Sequence, residues 1–202
     1  GVKCVAFSPD GSLVAVGDDQ GHVIIRNVST GGHKSKTAFK LDGAVWGVAF
    51  IPPGNNTLIC GDNTGKHTIY EVTTKKRLQE IKHPVNSIAP DSVRARKKKK
   101  KKRRRLKGRN NDGFDTDTRK ERGGGISCSK DGNWMVLSGF TDMAYLVDCT
   151  PKNKYSIVAA FQHEGDCFGV AMAPDGKSFA AADEQGRQIV VRSVPEGEVL
   201  HV

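Results

Sequence analysis

Four glycines constrain this chain more than any other feature. Gly11, Gly54, Gly132 and Gly176 each follow a short apolar run and open a polar turn. Gly11 to Gly54 is 43 residues and Gly132 to Gly176 is 44, while Gly21 and Gly65, in a second turn series, are also 44 apart. Each unit has the same internal order. An alternating apolar run (Val2, Cys4, Ala6) meets a P-D-G or K-D-G turn. A second run (Leu13 to Val16) meets an Asp/Asn/Gly turn. A third (Val23 to Ile25) ends near T-G, and a weaker fourth spans Thr37 to Leu41. Runs of this length, punctuated by Gly, Asp and Asn, predict antiparallel strands. The 23 glycines and an aromatic content of only 6% suit a turn-rich β protein.

One four-stranded sheet per period of about 40–45 residues predicts a β-propeller blade, and such blades bury their faces only by stacking on one another. The expected fold is therefore all-β, with about four blades. The segments "VAFSPDG" at 5–11 and "VAMAPDG" at 170–176 resemble the first strand and turn of the WD repeat. The resemblance covers nearly all of the chain outside one insertion. No W-D dipeptide closes a third strand; Arg26-Asn27, Tyr70-Glu71, Val147-Asp148 and Arg192-Ser193 stand there instead. In that family a His and a turn Asp share a buried hydrogen-bond network. The resemblance implies structural roles for His83 with Asp142 and for His163 with Asp183. It also implies a seven-bladed propeller, of which these four units would be part.

The interval from Gly54 to Gly132 breaks the period, at 78 residues. The surplus coincides with "RARKKKKKKRRRLKGR" at 94–109, which holds thirteen cations and no acid. The expected organisation is two blades and the start of a third over 1–89, a basic insertion over 90–124, and the rest of the third blade and the fourth over 125–202. The formal net charge is +10, but without the thirteen, 19 Lys and Arg face 22 Asp and Glu. The repeat itself is slightly acidic, and any attraction to polyanions belongs to Arg94, Arg96, Lys97, Lys98, Lys99, Lys100, Lys101, Lys102, Arg103, Arg104, Arg105, Lys107 and Arg109. Like charges without apolar periodicity predict an extended, disordered segment. Such a cluster fits a nuclear or nucleolar localisation signal. It also fits sequence-blind contact with RNA or DNA phosphates, because no aromatic within 94–109 could stack a base. Anionic lipid would require a second anchor, which is not visible, and no apolar run reaches the roughly 20 residues of a membrane span.

Motifs that carry chemistry do not survive inspection. "GDNTGKHT" at 61–68 lacks phosphate-loop spacing, since three residues separate Gly61 from Gly65, and His67 occupies the hydroxyl position. Asp18, Asp19, Asp62, Asp183 and Glu184 recur at one point of the repeat and are expected to form turns. Cys4, Cys60, Cys128, Cys149 and Cys167 are odd in number and widely spread, which predicts buried free thiols. No catalytic residue, metal ligand or cofactor is expected. The resemblance implies a non-enzymatic scaffold binding other proteins within a complex, intracellular and either nuclear or RNA-associated. The alternatives are a cytosolic trafficking or cytoskeletal adaptor with an incidental loop, and an electrostatic RNA- or DNA-binding protein acting through 94–109.

Overall fold

The computed structural model describes residues 1–31, 38–82, 125–138, 142–164, 167–183 and 188–202. Within them lie sixteen strands and four sheets, each sheet antiparallel and built from four strands consecutive in sequence. The first contains β1 (Val2–Phe7), β2 (Leu13–Asp18), β3 (His22–Asn27) and β4 (Phe39–Lys40). The second contains β5 (Val45–Phe50), β6 (Thr57–Asp62), β7 (Lys66–Glu71) and β8 (Arg77–Lys82). The third runs through β9 (Ile126–Cys128), β10 (Trp134–Ser138), β11 (Met143–Asp148) and β12 (Ser156–Gln162). The fourth comprises β13 (Cys167–Met172), β14 (Ser178–Asp183), β15 (Gln188–Ser193) and β16 (Val199–His201). These are four blades of a β-propeller. Among the described residues no helix is long and apolar enough to cross a membrane.

Neighbouring blades meet chiefly along their first strands, so β1, β5, β9 and β13 are innermost. Period-two alternation sends successive side chains to opposite faces of each sheet, and both faces of the middle blades are apolar. Three cores result, one per joint. Between the first and second blades, Ala15, Val23 and Phe39 pack with Val45, Val48, Phe50, Leu58 and Cys60. Between the second and third, Ile59, Ile69 and Ile81 meet Met135, Leu137, Tyr145 and Val147. Between the third and fourth, Val136, Ala144 and Leu146 meet Cys167, Met172, Phe179 and Ala181. Aromatic contacts bridge two joints: Phe39 stacks on Tyr70 with centroids 4.2 Å apart, and Phe161 lies 5.3 Å from Phe179.

Candidate interaction surface

Strand direction sorts the loops onto two rims. The first rim carries the turn between the first and second strands of each blade. At residues 8–13 the Asp10 carboxylate accepts the Ser12 N–H at 2.8 Å and the Ser8 hydroxyl at 2.7 Å. Asp131 repeats the arrangement, accepting from the Ser129 hydroxyl at 2.5 Å and the Asn133 N–H at 3.0 Å. Asp175 accepts the Lys177 N–H at 3.0 Å. These turns also touch across blades: the Lys130 N–H donates to the Pro174 carbonyl at 3.0 Å.

The donors that close the turns stabilise the ionised carboxylates. The Ser12 N–H and the Ser8 hydroxyl hold Asp10 well below the usual carboxylate range, and the Ser129 hydroxyl with the Asn133 N–H lowers Asp131. A group whose folded pKa is depressed contributes stability above its unfolded value, and that contribution is lost as pH falls. The urea midpoint should therefore stay flat from pH 7 to about 5 and decline below about 4. Asp131→Asn, which keeps an acceptor and loses the charge, should lower the plateau and make the decline shallower. An unchanged pH profile in that variant would show that the turn carboxylates do not couple to folding.

The second rim carries the turn between second and third strands, together with the connections from blade to blade. Asp18 accepts the N–H groups of Gln20 at 2.9 Å and His22 at 2.8 Å, and His22 Nδ1 lies 3.0 Å from its second oxygen. Asp62 accepts from the Thr64 N–H at 2.8 Å and the Thr64 hydroxyl at 2.6 Å. Asp18 and Asp62 thus serve their own turns, which fixes loop shape, whereas Asp19 pairs with the Gly1 ammonium and the Asp183 side chain and Glu184 lie outside the described residues. Among the described residues this rim holds Asp18, Asp19, Asp42, Asp62, Asp142 and Glu164 against His22, Lys40 and Lys66, and Asp42 pairs with Lys66 at 2.9 Å. The rim is acidic. Near it, on the innermost strands, Lys3 Nζ sits 5.1 Å from the Trp46 ring centroid. Sequence reasoning passed over that pair, although Lys3 and Trp46 occupy the same place in successive repeats.

His163 is buried, and its backbone N–H donates to the Asp142 carbonyl at 2.6 Å. The β11–β12 register produces this contact: Met143 pairs with Gln162, so the residues just beyond them face each other. His83 and the Asp183 side chain, the other members of the two expected pairs, lie outside the described residues, as do all thirteen basic residues of 94–109. The strands on either side of that segment end at Lys82 and resume at Ile126. His67 in β7, met above only as a misfit in the 61–68 motif, is fully enclosed and stands where β3 has Val23.

The five cysteines are free thiols. Burial pushes Cys4 up to about 11 and Cys128 up to about 12, and it raises Cys60 and Cys149 as well. At neutral pH these groups are un-ionised and behave as small apolar side chains. Among the described residues, no group of three or more His, Cys, Asp or Glu is placed to hold a metal ion.

Residues 1–27 match the sequence profile described as WD domain, G-beta repeat. The match covers β1 to β3, and the other three sheets repeat that strand order with corresponding cross-strand pairs, such as Val5 with Val16, Val48 with Cys60 and Val170 with Ala181. Residues 1–27 are thus similar to one WD repeat, and the four described sheets have the blade arrangement of a β-propeller. A comparison with curated proteins returned no match. WD-repeat propellers in general serve as scaffolds for protein interaction and not as enzymes.

Proposed function

We propose that this chain is a non-enzymatic WD-repeat scaffold holding other proteins within a multiprotein complex. In this reading residues 94–109 supply a nuclear address or an electrostatic tether to RNA-containing assemblies. The observation that carries it is the acidic rim, whose loops are fixed by their own Asp-centred hydrogen bonds. A rigid framework with loops of set shape suits recognition, and the carboxylate excess there favours partners that present Lys and Arg. A net excess of positive charge lies in 94–109, which holds thirteen cations and no acid and where each cation meeting a phosphate releases counterions. The two charged parts thus serve separate partners.

Two variants separate these roles. Deleting 94–109 should abolish RNA binding by the intact chain, whose affinity should otherwise fall with salt at a slope near −0.7 per phosphate contact on single strands. Asp42→Lys with Glu164→Lys, both exposed, should leave RNA binding intact and remove the proteins cross-linked to the chain in cells. If the double variant keeps those partners and the deletion loses them, the basic segment is the principal binding site and the scaffold assignment fails. Retention of both activities by both variants would count against the whole proposal.

A further inference from the structure

The turn from third to fourth strand holds a left-handed residue in every blade. Four residues beyond the third strand, the first blade has Gly31 at φ +57° and the fourth has Gly197 at φ +77°. The second blade has Lys75 at that place, at φ +59°. The turn of the third blade is longer and carries Lys154 at φ +46° and Tyr155 at φ +61°. A residue with a Cβ is strained in this conformation, and glycine is not. Tyr155 has a structural reason to be there, because it packs against the core between second and third blades. Lys75 and Lys154 are exposed and form no ion pair with a described acid. Strain retained without burial or an ion pair points to function and not to folding.

The surroundings of the two lysines are cationic. Among the described residues between strands on the first rim, the second and third blades hold Lys75, Lys76, Lys130, Lys152 and Lys154 against Asp131 alone, and all five lysines are exposed. The Asp131 carboxylate is occupied by Ser129 and Asn133. The acids at the neighbouring strand ends are occupied too: Glu71 accepts from Asn56 and Thr74, and Asp148 from the Thr150 N–H and the Asn153 side chain. The two blades touch beside these turns, where Gln79 Nε2 lies 3.5 Å from the Tyr155 carbonyl oxygen. Gly197, by contrast, stands between Glu196 and Glu198. Lysine replaces glycine where the turn is basic, and glycine remains where it is acidic.

We infer that this lysine patch, on the rim opposite the acidic one, docks a protein segment rich in Asp and Glu. The inference rests on the scaffold reading and gives it a second class of partner, opposite in charge to the first. Ammonium groups carried on set turns match a run of carboxylates, and complementary potentials steer such partners together. Lysine supplies point charges without the planar fork of arginine, so the patch reads charge and not a bidentate geometry. Tyr155 is the only aromatic of these turns and packs against the joint core. The patch therefore offers no platform for stacking bases, which favours a protein over a single-stranded nucleic acid.

Carbodiimide coupling of the full chain to an oligoglutamate peptide, mapped by mass spectrometry, tests this. Lys75 and Lys154 should couple at least ~5-fold more than Lys177, an exposed lysine of the same rim in the fourth blade. Coupling no greater than that of Lys177 overturns the inference. Lys75→Gly with Lys154→Gly relieves the strain, so the urea midpoint should hold or rise while coupling at Lys76 and Lys152 falls at least ~5-fold. A lower midpoint would give the two lysines a structural role and overturn the inference, as would unchanged coupling at Lys76 and Lys152. Excess oligouridylate should leave the coupling in place; its loss would make the patch a nucleic-acid site and overturn the protein assignment. Asp42→Lys with Glu164→Lys should couple at Lys75 and Lys154 as wild type does, so failure of the acidic rim and failure of this patch are read separately.

Discussion

Replacing Gly132 with alanine should cost about 2–5 kcal/mol, against about 1–2 kcal/mol for the same change at Gly11. Both glycines close equivalent turns at φ +74°. That left-handed backbone penalises any side chain bearing a Cβ by about 1–2 kcal/mol. At Gly11 nothing lies within 4 Å of where the methyl would stand, so the conformational term is the whole effect. At Gly132 the methyl would be driven into the carbonyl oxygen of Pro52 in the second blade. Backbone does not swing aside as a flexible side chain would, so one turn or the other must retreat. Overpacking of this kind adds about 1–3 kcal/mol. The damage falls on the joint between second and third blades, and in a stacked repeat each joint contributes its own coupling. Urea unfolding of Gly132→Ala should therefore become broad or biphasic, while Gly11→Ala shifts one sharp transition. Equal shifts in the two variants would mean that the Pro52 contact contributes nothing.

The same glycines show what the sequence discloses. Spacing located Gly11, Gly132 and Gly176 in one turn, and all three have positive φ at 70–74°. Gly54 was placed with them, but it is not among the positive-φ residues. The second blade has one more residue between its two turn glycines than the first, so the Ile51 N–H reaches Thr57 where the Ser8 N–H reaches Leu13. A glycine marks where a turn falls and leaves its geometry open. Strands buried on both faces were readable because each carries apolar side chains in strict register. The fourth strand was faint for a physical reason: β4 contains only Phe39 and Lys40, and one buried side chain leaves no period.

Charge was legible by type and less so by place. Separating the thirteen cations from the repeat made the remainder acidic. That described carboxylates outnumber described cations on the second rim follows only once strand directions are known. The histidine–aspartate pairs illustrate the limit. The resemblance implied His163 with Asp183, whose side chain lies outside the described residues, while strand pairing sets the His163 N–H against the Asp142 carbonyl within its own blade. Register decides such contacts, and register depends on bulges, here the one between Leu146 and Val147, that composition does not announce.

Phe50→Ala and Phe7→Ala make the register quantitative, because the two residues occupy one repeat position in different surroundings. Phe50 is enclosed in the joint between first and second blades, where truncation should cost about 3–5 kcal/mol through lost burial and the cavity left behind. Phe7 is 63% exposed on the first blade, and a solvent-facing truncation typically changes stability by no more than about 0.5 kcal/mol. Urea unfolding of the two variants should show that difference directly, and equal shifts would mean that enclosure between the first and second blades adds nothing at the Phe50 position.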